Sequence, residues 1–313
     1  MRDPRHEAAA RLSTPADREA VRVLEPAPPA VTEPPWFADD PLAPGGHVVP
    51  VDRPGSTSWR DLCHERGDTA LVAFCMERWL GPWRRLEAVP ATFAATRASL
   101  HAVAEHVLCP LRQAATGKIG LRWTLGGFGT PFLPGGRQAR VERADLVDGD
   151  PVHGDRRQPL ATLGAAAAFV GITPGAPAAF TATTPLDVDA PLTIDAEAAA
   201  RLGDWFGFTT AALEQIRAEG TPAEPGRPQL WPEHFDLAVD LGGEASRANF
   251  GGSPGDADHP EPYLYIGPWE PRTGPFWNEP FGASLGYSAL LGAVNQREAA
   301  LGFLRTGRDL LRG

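Results

Sequence analysis

Long apolar runs are missing from this 313-residue chain, and so is the excess of basic residues that nucleic acids and anionic membranes attract. No stretch is apolar over the length that a membrane-spanning helix needs. The charged start, Met1 to His6, leads into no apolar segment of the kind that a signal peptide contains. The formal net charge is -10, which repels phosphate backbones. We therefore predict a soluble cytoplasmic protein with no nucleic-acid partner and no membrane partner.

Cysteine and lysine are also scarce. The three cysteines, Cys63, Cys75 and Cys109, cannot all pair within the chain, which predicts reduced thiols. Lys118 is the single lysine among 29 Lys plus Arg residues. Arginine and alanine abound, as in chains encoded by GC-rich DNA. A lysine kept against that bias indicates either a functional requirement or chance survival on the surface.

The composition that is present is globular, with 42% hydrophobic and 22% charged residues. Residues 1–57 hold 11 of the 33 prolines and predict an extended N-terminal arm. Residues 58–172 predict helices followed by a first meander unit. Residues 173–313 predict a second helix-meander-helix unit, and we expect 58–313 to form one compact body.

Hydrophobic periodicity predicts an α+β fold, mainly antiparallel sheet with packed helices, built from two αβββα meander units. Helical patterns lie at 69–80, 92–108, 160–170, 196–218, 283–293 and 296–311. Alternating patterns predict strands at 118–125, 128–133, 137–143, 231–241 and 262–269, with shorter strands at 146–147, 186–194 and 247–251.

Several segments are similar to a known family. Leu230-Trp-Pro-Glu-His-Phe-Asp-Leu-Ala238, Gly251 to Asp256, Glu261-Pro-Tyr-Leu-Tyr265 and the earlier Gly117-Lys118-Ile119 resemble an uncharacterised, mainly actinobacterial family. That family is known only as a domain of unknown function. The resemblance spans roughly residues 91 to 305, and it implies no catalytic residue.

The segment from Glu233 to Asp240 has the richest chemistry. On a strand, His234 and Asp236 would share one face, where a carboxylate could orient an imidazole as a general base. The catalytic candidates are therefore His234 with Asp236 or Asp258. A further interpretation is a metal site, whose ligands would be His234, Asp256, Asp258 and His259. The alternative is a solvated strand face followed by a Ser-Pro-Gly-Asp turn.

Other polar and aromatic residues are candidates for binding a small molecule. Lys118, Arg122, Tyr263 and Tyr265 are predicted to line the sheet surface or the cleft between the two units. The proline-rich aromatic segment adds Trp277 and Asn278, unless its rings only fix a loop to the sheet. If a functional pocket exists, we expect Lys118 and His234 to line it together.

The H-x-x-x-E-H pattern of His101, Glu105 and His106 lacks the i, i+4 pair of histidines that helical zinc sites use. We interpret it as a solvated helix face.

Three functional hypotheses remain open. The first is a small-molecule-binding protein, the second is a hydrolase-type enzyme, with or without metal, and the third is an interaction partner engaged through the proline-rich arm. No motif specifies a reaction, a cofactor or an oligomeric state.

Overall fold

A computed structural model of the chain describes residues 47–48, 57–58 and 86–313, the last range without positions 125, 132, 134–136, 151–153 and 220–227. The arm predicted over residues 1–57 and the helix predicted over 69–80 therefore lie outside the described residues. The exception is a two-residue antiparallel pairing of β1 (His47–Val48) with β2 (Thr57–Ser58).

The first half opens with a long helical segment. It comprises α1 (Phe93–Val103), a π-helical turn (Ala104–Leu108) and α2 (Cys109–Thr116). The segment ends at Gly117, which adopts the left-handed conformation (φ 72°) that glycine accepts without a steric penalty. The prediction of a helix over 92–108 is confirmed, and the structure extends it by two turns.

The helix is followed by a five-stranded antiparallel meander, in the order β3-β4-β5-β6-β7. Its strands are β3 (Arg122–Thr124), β4 (Gly127–Gly129), β5 (Gln138–Glu142), β6 (Asp145–Asp150) and β7 (Gly154–Pro159). The strands predicted at 137–143 and 146–147 are confirmed, those predicted at 118–125 and 128–133 are shorter in the structure, and β7 was not predicted. The strand β7 is almost wholly polar and exposed, so hydrophobic alternation could not indicate it.

A second five-stranded antiparallel meander has the order β8-β9-β10-β11-β12. Its strands are β8 (Gln229–Trp231), β9 (Asp236–Leu241), β10 (Ala248–Ser253), β11 (Tyr263–Pro268) and β12 (Ala283–Gly286), and a 3-10 turn (Glu244–Ser246) joins β9 to β10. The two sheets and their helices confirm the predicted α+β class. The helix predicted over 283–293 is wrong in its first four residues, which form β12.

The described part of the chain contains four further helices: α3 (Leu163–Val170), α4 (Ala196–Glu219), α5 (Tyr287–Gly292) and α6 (Gln296–Arg312). The helix α4 contacts strands of both sheets and buries Trp205 and Phe206 completely. At Gly203 a side chain would collide with the backbone of Gly126 and Gly127, so the absence of a side chain allows α4 to approach the first sheet closely. The 173–195 connection contains no strand, so the strand predicted at 186–194 is wrong.

The two sheets meet at their first strands. Leu121 and Leu230 form an isolated antiparallel bridge, with N–H···O=C distances of 2.7 and 2.9 Å. Both leucines are fully buried. The bridge joins the meanders edge to edge, so residues from the first half can reach the sheet of the second half.

None of the helices in the described part of the chain combines the length and the apolar character that crossing a membrane requires.

Candidate functional site

A cavity of about 600 Å³ lies over one face of the second sheet. Its floor follows the alternation of β9, β10 and β11, because the residues that pair across these strands point to the same side. The contributing residues are Asp236, Ala238, Asn249, Ser253, Tyr263, Tyr265 and Gly267. The walls come from α1, from the turn before β9 and from the loops around residues 183 and 256.

Glycine shapes the middle of this floor. Gly251 pairs with Tyr265 across the strands, and a Cβ at Gly251 would overlap the Tyr265 ring. Because Gly251 has no side chain, the Tyr265 ring can approach the β10 backbone closely, and its hydroxyl donates a hydrogen bond to Asp236 Oδ2. On the other face, Gly252 contacts Thr209 and Trp205 of α4.

The close approach of the Tyr265 ring to Gly251 leads to a testable prediction about stability. Gly251→Ala should lower the free energy of unfolding by about 1–3 kcal/mol, because the Tyr265 ring must move and its hydrogen bond to Asp236 must lengthen. Gly302→Ala is the matched control: a Cβ there meets no atom within 4 Å, and alanine in a helix should stabilise by about 0.5–1 kcal/mol. Urea denaturation of both variants measures the difference. Equal effects at the two positions would contradict the close packing at Gly251.

A tight turn at residues 232–235 forms one wall of the cavity. Phe235 has a left-handed backbone (φ 54°), which is costly for a large side chain. The conformation is held by packing, since the buried ring stacks on His101 at 5.0 Å and meets Phe128 and Phe206 edge-on. The prediction of a continuous strand over 231–241 is therefore wrong at 232–235.

Glu233 is the most unusual group in the wall. Its residue is 4% exposed, and neither carboxylate oxygen has a hydrogen-bond partner among the residues that the structure describes. Burial raises the pKa of this carboxyl to about 7. The residue's own backbone amide acts in the opposite direction, while the charges of Asp236 and Glu105 add to the rise. A buried carboxyl without a hydrogen-bond partner destabilises the folded state, so Glu233 is a candidate functional group.

His234 and Asp236 both line the cavity, as a shared site requires. His234 lies in the turn and not on a strand, so the predicted alternation of the two residues on one strand face is wrong. The left-handed backbone of Phe235 between them breaks that alternation. Asp236 accepts its hydrogen bond from Tyr265, while His234 Nε2 is buried without a hydrogen-bond partner in the described part of the chain.

Arg97 of α1 brings a guanidinium to the cavity wall, the single one among the lining residues that the structure describes. Its terminal nitrogens donate to the carbonyl oxygens of Pro254, Asp256 and Pro260, at 3.2, 3.2 and 2.9 Å. Burial lowers its pKa, and the nearby Asp256 and Tyr263 partly oppose this effect. Arg97 therefore fastens the 254–260 loop to the first helix while carrying a positive charge at the cavity wall.

Glu105 and His106 are buried and His101 is half-buried, so their interpretation as a solvated helix face is wrong. The π turn places Glu105 inside the protein, where it is 0% exposed. Its oxygens accept from the backbone amides of Thr183 and Thr184, both at 2.8 Å, and from both hydroxyls.

His101 reaches the turn of the cavity wall directly. Its Nε2 donates to the Pro232 carbonyl oxygen at 2.8 Å, and burial lowers the pKa of its ring. A neutral imidazole therefore supports the turn that carries Glu233.

Asp256 and Asp258 also line the cavity, on the loop between β10 and β11. Asp256 Oδ1 accepts from the backbone amides of Asp258 and His259, both at 2.8 Å, and Oδ2 accepts from the Tyr263 hydroxyl at 3.0 Å. The His259 ring packs at a tilt against the Tyr263 ring, with centroids 4.8 Å apart, and its Nε2 lies 3.3 Å from Glu279 Oε1. Within the described residues, no three His, Cys, Asp or Glu side chains are grouped as metal ligands would be.

Four predicted binding residues are not among those that line this cavity. Lys118 directly follows the Gly117 cap and precedes the sheet, which begins only at Arg122. The Arg122 Nε donates to the Trp123 carbonyl oxygen at 3.3 Å. Trp277 packs edge-on against Phe276, and Asn278 exchanges hydrogen bonds with the Ser284 backbone.

The structure thus brings together six of the predicted residues: His234, Asp236, Asp256, Asp258, Tyr263 and Tyr265. It does not place Lys118 beside His234 in this cavity. Sequence reasoning missed Glu233, Arg97 and His101. The one usable signal was the position of Glu233 next to His234, since arginine is too common in this chain for Arg97 to attract notice.

Comparison of the chain with protein-family models, curated proteins and solved structures found no match. The resemblance to the actinobacterial family stays a prediction.

Proposed function

We propose that this protein binds a small organic molecule in the cavity over β9–β11. Its volume of about 600 Å³ is in the range of small-molecule sites. The floor and walls combine the aromatic rings of Tyr263, Tyr265 and Phe281 with polar groups that converge on the cavity. Such a mixture gives apolar contact area together with a few groups that orient a ligand.

The observation that carries this proposal is the buried Glu233 carboxyl without a hydrogen-bond partner in the described structure, beside the equally unpartnered His234 Nε2. Buried polar atoms are nearly always satisfied, and exceptions call for an explanation. A bound molecule that supplies the missing donors or acceptors is that explanation.

A thermal-shift screen tests the proposal, using a library of polar metabolites with the full-length protein. A ligand present at 100 times its Kd should stabilise the folded state by about 2.7 kcal/mol. Ala238→Phe, which adds a ring to the cavity floor, should abolish the shift. If no compound stabilises the wild type, or if Ala238→Phe responds equally, the cavity is not a binding site.

A hydrolase-type enzyme is the second candidate, and one observation favours it. A carboxyl with a pKa of about 7 is suited to general acid–base catalysis near neutral pH, and Asp236 is a nearby second carboxyl. Glu233 then replaces His234 as the leading catalytic candidate. Turnover of p-nitrophenyl esters, phosphates or glycosides that disappears in Glu233→Gln supports this candidate, and activity retained by that variant rejects it.

A further inference from the structure

We propose that the ligand of this cavity carries an ammonium group, held by the carboxylates of the lining and by its aromatic rings. This inference rests on the proposed binding function and names the chemical class of the ligand. Three independent features support it: the balance of charge in the lining, the burial of Glu233 and the aromatic walls.

Among the residues that the structure describes, the lining contains four carboxyl groups, from Glu233, Asp236, Asp256 and Asp258, and one guanidinium, from Arg97. Among the charges around Arg97, that of Asp256 raises its pKa the most, so these two opposite charges partly compensate each other. Burial lowers the pKa of His101, so its ring adds no positive charge at neutral pH. The cavity is thus electronegative, which favours a cationic occupant and disfavours an anionic one.

Glu233 sharpens this preference. Its ionised form is disfavoured by burial and by the like charges of Asp236 and Glu105, and the thiol of Cys109 also lies in its field. A cation at the wall compensates the charge that the protein leaves uncompensated there. A neutral or anionic ligand cannot do this.

The aromatic residues suit the same ligand. Tyr263, Tyr265 and Phe281 form a contiguous group, with ring centroids 6.3 to 6.4 Å apart. Aromatic faces attract ammonium groups and pack against the apolar carbon atoms that carry them. An organic ammonium therefore finds charge and apolar contact in one place.

Three probes of nearly equal shape test the proposal: phenethylamine, 2-phenylethanol and phenylacetate. Isothermal titration calorimetry at pH 8 should show the ammonium probe binding at least about tenfold tighter than the neutral one, a difference of about 1.4 kcal/mol. Phenylacetate should bind weakest. Equal binding of the amine and the alcohol, tightest binding of phenylacetate, or no binding of any probe overturns the ammonium inference.

Two variants test which carboxylate causes the preference for the amine over the alcohol. Glu233→Gln should remove most of the amine preference, because it should weaken the binding of phenethylamine much more than the binding of 2-phenylethanol. Glu244→Gln, an exposed acid outside the lining, should alter neither. An amine preference unaffected by Glu233→Gln overturns the role given to Glu233.

The affinity for phenethylamine should also rise with pH. Because the pKa of Glu233 is about 7, its ionised fraction increases about tenfold between pH 6 and pH 8, and binding should strengthen by up to that factor. Asp236, Glu105, His101 and His234 share this surrounding, so Glu233→Gln is the reference that isolates the contribution of Glu233. Failure here is distinguishable from failure of the binding function, since the metabolite screen and Ala238→Phe test that function alone.

Discussion

Replacing Glu233 by glutamine is expected to remove a large pH dependence of stability. Burial raises the pKa of Glu233 from 4.5 to about 7. The folded state therefore holds this proton more tightly than the unfolded state. The stability from this group is fully present below pH 4.5 and is lost as the pH rises to about 7. The shift corresponds to about 3 kcal/mol.

Urea denaturation of the wild type and Glu233→Gln at several pH values measures this contribution. The variant should gain about 3 kcal/mol relative to the wild type between pH 4.5 and pH 8. Glu244→Gln, at an exposed position, should follow the wild type at every pH. A difference between Glu233→Gln and wild type that stays constant with pH would show that Glu233 titrates normally.

The second large effect is expected at Glu105. Glu105→Ala should lower the free energy of unfolding by about 3–5 kcal/mol, because it removes a fully buried carboxylate that accepts from the partly buried backbone amides of Thr183 and Thr184. Both hydroxyls lose their acceptor as well. Thr183 and Thr184 line the cavity, so ligand affinity should fall with stability.

Glu105→Gln separates geometry from charge. It keeps one acceptor oxygen and should cost less than Glu105→Ala, whereas Glu244→Ala should change stability by less than about 0.5 kcal/mol. Chemical denaturation followed by circular dichroism measures all three. A Glu105→Ala variant as stable as the wild type would mean that water replaces the carboxylate without loss.

The parts of the fold that follow simple alternation could be predicted from the sequence. The strands expected at 137–143 and 262–269 appear at Gln138–Glu142 and Tyr263–Pro268, because apolar residues recur at every second position, at Ala139 and Val141 and at Leu264 and Ile266. The polar strand β7 could not be predicted in this way. Its order comes from pairing with β6 and from the ion pairs of Arg156 and Arg157.

The site was predictable only in part, for reasons that particular residues show. Tyr263 and Tyr265 are two of only three tyrosines, and strand alternation placed both on one face. Glu105 and Glu233 could not be recognised, since a buried carboxylate looks like a surface residue in sequence. The π turn also changes the register of its helix, which no hydrophobic period indicates.

The fastening of the 254–260 loop by Arg97 has a consequence for biosynthesis. The bonds from Arg97 to Pro254, Asp256 and Pro260 close loops of 157, 159 and 163 residues. Contacts so distant along the chain form late, because much of the polypeptide must be ordered first. A nascent chain that has not emerged beyond β11 lacks most of the cavity. Ligand capture would therefore begin only after β11 has been synthesised, so a bound ligand would report that the strands of the cavity floor have been completed.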